Sequence, residues 1–127
     1  MSRTFDGLGH ALIALTLLFT VYGQLVLKWQ IGAAGALPDG VGDKLLFLLR
    51  QLLNPWVFSG FVAAFAASLA WMAAMTRFDI GYAYPFMSLA FVIVMLFGVA
   101  CLGEDLSLGK VMGTVLVMAG VVSIARS

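Results

Sequence analysis

The chain has 127 residues, of which 63% are hydrophobic and 10% charged, with a net charge of +1. Soluble domains carry about 25% charged residues, so this composition excludes a water-exposed globular fold and makes a bilayer the natural solvent. So small a net charge carries no nucleic-acid signal.

The uncharged runs are Ala11–Leu27, Gln51–Thr76, Ile80–Gly103 and Val111–Ala125, the last extended by Leu106 to Gly109 past Lys110. A spanning helix needs about 20 mostly apolar residues, and a lysine near a helix end can snorkel to the interface. These runs predict four spans, at about 9–30, 55–76, 80–103 and 107–126, forming one all-α membrane domain over 1–127. The runs are continuous rather than alternating with period two, which argues against a β-barrel.

Span one comes after a short polar segment, Met1 to Gly9. A signal-peptide core is about 7–15 residues. Ala11–Leu27 is longer and leads into Lys28 and Trp29, so it reads as an uncleaved span with Trp29 as its interfacial anchor. Ile31 to Asp43 is glycine-rich with Pro38 and reads as a loop, with Asp43 placed to cap the next helix. The segment 44–53 carries Lys44, Arg50 and Gln51 at near-helical spacing with leucines on the other face. It fits a short amphipathic helix on the membrane surface, or else the first turns of span two. Asn54-Pro55 is a helix-start signal. Span two is rich in small residues, and Gly60/Ala64 and Ala63/Ala67 predict close packing on several sides.

Arg77-Phe78-Asp79 is a tight turn that makes spans two and three an antiparallel hairpin, with Asp79 placed to cap span three. Pro85 lies one turn inside that span and predicts a kink. Glu104 and Asp105 precede span four and are placed to cap it. Gly109, Gly113 and Gly120, with Leu116 between them, line up along one face of span four. They predict either an oligomer interface or close packing within the chain. The positive-inside count is uninformative, with Arg3, Arg77 and Arg126 on one side and Lys28, Lys44, Arg50 and Lys110 on the other.

There is no HExxH, P-loop, CxxC or GxSxG pattern, and His10 is the sole histidine, so no enzyme, cofactor or metal site is expected. Cys101 is the sole cysteine, cannot form an intrachain disulfide, and reads as a buried structural thiol. Polar groups inside spans are costly unless paired or functional. Thr20, Gln24 and Lys28 lie four apart and share one helix stripe. That stripe makes a polar track ending in a cation, although Lys28 also fits a snorkelling anchor and Thr20 a bond to its own helix. Tyr84 and Ser88 bracket the Pro85 kink. The acids Asp6, Asp39, Asp43, Asp79, Glu104 and Asp105 all fall at predicted ends or loops. A buried or interfacial cation without a membrane carboxylate suits an anionic ligand such as a lipid phosphate better than proton-coupled export of cations.

Three segments, Gly23-Gln24-Leu25-Val26-Leu27-Lys28, Gly81-Tyr82-Ala83-Tyr84-Pro85-Phe86-Met87-Ser88-Leu89, and Gly103-Glu104 with Gly113 and Ala119-Gly120-Val121 after it, carry a resemblance. Together they resemble the four-span branch of the drug/metabolite transporter superfamily, and most closely the EamA-related aminoarabinose-phosphoundecaprenol flippase subunits. The small multidrug resistance exporters are similar, but they carry an essential glutamate where this chain has Thr20 and a tryptophan where it has Met87.

The resemblance implies a flippase of the bacterial inner membrane for a polyprenyl-phosphate-linked sugar or similar anionic lipid carrier. The chain would act as a homodimer or pair with a related four-span subunit. Lys28, Arg77 and Arg50 would balance the phosphate; Gln24, Thr20, Tyr84 and Ser88 would meet the head group. Gly109, Gly113, Leu116 and Gly120 would form the subunit interface. Two other readings stand beside it: an exporter of small cationic compounds or metabolites, and a non-transporting accessory membrane subunit.

Overall fold

The computed structural model describes residues 7–127; Arg3 and Asp6 lie outside the described residues. The chain is all-α: α1 spans Gly7–Ala34, α2 Val41–Gln51, α3 Pro55–Ala74, α4 Ile80–Phe86, α5 Leu89–Cys101 and α6 Leu108–Ala125. Four segments are long and apolar enough to cross a bilayer: α1, α3, the α4–α5 pair and α6.

Helix α1 has 28 residues, about 42 Å at the standard rise, against a hydrocarbon core of about 30 Å. It is therefore long enough to span that core with turns to spare. Trp29 packs edge-on against Trp56, with ring centroids 5.5 Å apart. Asn54 fixes the start of α3 beside it. Its Oδ1 accepts the Trp56 N–H at 2.9 Å, and its Nδ2 donates to Gln30 Oε1 at 2.8 Å. Pro55 then takes the first helical position, where no donor is needed.

Helix α2 is separate from α3. The chain turns through Leu52, Leu53 and Asn54, so residues 44–53 are not the first turns of span two. Gly40, not Asp43, is the N-cap; Asp43 lies in the first turn, where its charge still suits the helix dipole. Leu45, Leu46, Leu48 and Leu49 are all exposed, leaving an apolar face that fits a membrane surface.

Helices α1 and α3 form the closest pair in the bundle. They cross at two glycines: a Cβ on Gly23 would sit 3.0 Å from the Gly60 carbonyl oxygen. Helix α3 buries Val57, Gly60, Ala63, Ala67, Ala70 and Ala74 along one face. Phe58, Phe65 and Met72 on its other faces are exposed. The buried small residues mainly face α1, and Ala74 also packs in a core with Phe78, Tyr82 and Ala83.

A turn over 75–79 carries the chain from α3 into α4. Phe78 is buried there, and with Tyr82, Ala83, Ala74, Ile13 and Leu17 it forms a core near the start of α1. His10 joins it, its Nε2 lying 3.1 Å from Tyr82 Oη and its ring 5.0 Å from Phe78. Asp79 occupies the N-cap of α4 without a side-chain capping bond. Where a kink is expected the helix tightens: the Met87 and Ser88 N–H groups bond back three residues to Tyr84 and Pro85, separating α4 from α5, and Ser88 Oγ donates to the Pro85 carbonyl.

Helix α5 ends at Cys101, and just beyond its cap Leu102 lies Gly103, whose φ of +70° is the left-handed conformation that glycine adopts freely. Ser107, rather than Glu104 or Asp105, caps α6, its Oγ accepting the Lys110 N–H at 3.2 Å. Lys110 folds its ammonium back onto the Asp105 carbonyl. Helix α5 packs against α1, and α6 against α4 and α5. Cys101 is exposed, not buried, because it sits on the open side of the last turn of α5.

Candidate functional site, a polar groove within the span

Because α3 runs along α1 while α4 and α5 take the other side, a groove opens between them. Its floor is Thr16, Thr20, Gly23, Gln24 and Leu27 of α1, and its volume is about 430 Å³. Helix α3 lines one wall with Gly60, Phe61, Ala64, Ala67, Ser68 and Trp71; Tyr84 of α4 and the adjoining Met87 complete it. The size falls in the range of small-ligand sites. Gly23 and Gly60 give it depth, since side chains there would fill the space where the helices touch.

The groove's polar groups fall into two sets. Thr16 Oγ1 donates to the Leu12 carbonyl at 2.8 Å, and Ser68 Oγ to the Ala64 carbonyl at 3.1 Å, so both are committed to their own helices. Thr20, Gln24 and Tyr84 form no side-chain hydrogen bond among the described residues. Tyr84 is held by its ring, which packs edge-on against Trp71 at 5.9 Å, leaving its hydroxyl outside that contact. Three polar side chains without such bonds thus line the groove beside Thr16 and Ser68. An unmatched hydroxyl or amide in hydrocarbon is unfavourable without a partner, so this lining suits a polar guest.

Lys28 lies one turn beyond Gln24, at the groove's end. Its Nζ is 3.5 Å from Glu104 Oε2, with both side chains substantially exposed. An exposed pair of this kind is worth about 0–1 kcal/mol. The pair therefore positions charge more than it stabilises the fold.

The sequence-selected residues divide accordingly. Thr20, Gln24 and Tyr84 share the groove, with Lys28 at its mouth. Ser88 is close in sequence but absent from the lining, its hydroxyl spent on Pro85. Arg77 lies in the turn beside Phe78, at the His10 end of α1. Eighteen residues separate His10 from Lys28, which is roughly 27 Å of helix. Arg77 and Lys28 therefore sit at opposite membrane faces and cannot grip one phosphate together. Arg50 is on α2, at the Lys28 end but outside the groove.

Gly113 and Gly120 have no atom within 4 Å of where a Cβ would stand, and Gly109 meets only its own Ser107. Leu116 is 71% exposed. The small-residue face of α6 is therefore not used for packing among the described residues. Sequence reasoning missed Trp71 and Phe61 as groove walls. They are two of several bulky residues on α3, and nothing in the sequence singles them out from Phe58, Phe65 or Met72.

A four-helix membrane bundle with a polar groove at mid-depth is the architecture of a small multi-pass transporter. The sequence agrees: the EamA-like transporter family matches residues 10–126, and the chain belongs to that family. It is 32% identical over 122 residues to a protein of Pseudomonas aeruginosa strain UCBPP-PA14 named as a probable 4-amino-4-deoxy-L-arabinose-phosphoundecaprenol flippase subunit ArnE. That match covers 92% of this chain and 96% of the relative. Proteins of the same name from Sodalis glossinidius and Erwinia tasmaniensis are 33% and 31% identical, covering 88% and 87% of this chain and 92% and 90% of theirs. No solved structure matches the chain.

Proposed function

We propose that this transporter is one subunit of a flippase that moves a polyprenyl-phosphate-linked sugar across the bacterial inner membrane. The observation that carries the reading is the groove: Thr20, Gln24 and Tyr84 lack internal partners there, and Lys28 stands at its mouth. The sugar occupies the groove and bonds to those three side chains, while Lys28 binds the phosphate. The lipid tail stays in the bilayer, which the open side of the groove allows. Arg77 offers a second cation at the opposite face, where the phosphate arrives after translocation; Arg50 attracts the anionic lipid on the Lys28 side.

Support also comes from the relatives, whose names specify an aminoarabinose-phosphoundecaprenol and describe them as subunits. The exposed face of α6, with Gly109, Gly113, Leu116 and Gly120, is the surface on which a second four-span chain docks. No carboxylate lines the groove itself, and Glu104 at its mouth is paired with Lys28.

The test is binding of polyprenyl phosphate to the purified protein in detergent micelles. Lys28→Ala weakens binding about 30-fold while the helical circular-dichroism signal stays unchanged. Undiminished binding by that variant would remove the phosphate role of Lys28 and with it the reading.

A further inference from the structure

We propose that Glu104 is a specificity-determining residue that reads a positively charged amino group on the transported head group. This rests on the lipid-phosphate reading above and assigns the second half of the same site. Glu104 is a built feature rather than a casual surface acid. Its backbone N–H bonds back to the Gly98 carbonyl at 3.1 Å, an arrangement allowed by the left-handed turn at Gly103. Its carboxylate lies over Gly98, where a Cβ would stand 2.5 Å from Oε1. Oε2 is thereby held 3.5 Å from Lys28 Nζ.

The consequence is electrostatic. A phosphate that takes Lys28 also meets a carboxylate beside it, and like charges at that separation repel. An anion that brings no positive charge is therefore disfavoured at this mouth. A zwitterionic head group is favoured, because its phosphate takes the ammonium of Lys28 and its amine takes the carboxylate Lys28 releases. Both side chains have spare capacity for this exchange: Lys carries three donors and the carboxylate about four acceptor sites. Selection thus comes from a repulsive element as much as an attractive one.

The experiment compares three probes in micelles: polyprenyl phosphate, a polyprenyl phosphate bearing a neutral sugar, and one bearing an amino sugar. The protein prefers the amino-sugar lipid about tenfold over the neutral-sugar lipid, the size expected for one charge-assisted hydrogen bond. Glu104→Gln erases that preference and strengthens binding of plain polyprenyl phosphate. Gly98→Ala gives the same result with the charge intact, because its methyl displaces the carboxylate. Lys28→Ala weakens all three probes. If Glu104→Gln keeps the preference, or the protein binds all three probes equally through Lys28, the amine-reading role is wrong while the lipid-phosphate reading stands. If the protein binds none of the three, the lipid-phosphate reading fails and this inference falls with it.

Discussion

The two halves of the bundle handle their glycines differently. Gly23 and Gly60 bring α1 and α3 into backbone contact, whereas Gly113 and Gly120 on α6 have open space where a Cβ would stand. About 33% of the α3 span is buried inside the chain but only 6% of α6. In lipid, helices associate through close packing of small residues rather than through a hydrophobic driving force. The same residue type therefore marks a completed interface in one half and an open one in the other. The first half forms the groove's floor and one wall, which Tyr84 and Met87 complete, and the second half leaves α6 largely exposed.

That contrast is broken most severely at the helix crossing. Gly23→Val drives a branched side chain into the Gly60 carbonyl, and the α1–α3 pair cannot separate without losing the groove. Overpacking of this kind costs about 1–3 kcal/mol or more, and the loss appears as aggregation during size-exclusion chromatography in detergent. Gly60→Ala is milder, since its Cβ would meet the Gly23 carbonyl oxygen at an ordinary 3.5 Å. Lys28→Ala comes next, lowering affinity for polyprenyl phosphate by about 30-fold, the value of one good charge-assisted contact. Isothermal titration in micelles reads it.

Substitutions on α6 sharpen the other side of the comparison. Gly113→Leu and Gly120→Leu leave monomer helicity unchanged and weaken subunit association by about tenfold, in line with packing terms of about 1–2 kcal/mol in membranes. Cross-linking in vesicles measures it. Tyr84→Phe has the smallest effect, about threefold on head-group binding, because one neutral hydrogen bond is worth about 0.5–1.5 kcal/mol. The ring contact with Trp71 survives that change.

Much of this architecture is legible in the sequence, for identifiable reasons. Continuous apolar runs fix the number of spans, and Asn54-Pro55 fixes the start of α3, because both signals are local. The stripe Thr20, Gln24 and Lys28 is legible because helical periodicity alone aligns it. The position of Arg77 opposite Lys28 is legible as well, because counting four spans already puts the two cations on different sides, and the 75–79 turn lying beside the start of α1 agrees with it. Ser88 falls outside the groove lining, because spacing from Tyr84 assumes a regular α-helix and the helix tightens at Met87 and Ser88. The ion pair of Lys28 with Glu104 joins positions 76 residues apart in sequence (104 minus 28), beyond any periodic signal. Gly98 and Gly103 are what direct Glu104, and their role appears only in the backbone path.

The most direct measurement is native mass spectrometry of the protein released from its membrane in mild detergent. The account predicts a complex of two four-span chains that retains a polyprenyl-phosphate species, with Lys28→Ala leaving the oligomeric state unchanged and the lipid lost. A lipid-free monomer that instead binds added organic cations would contradict it.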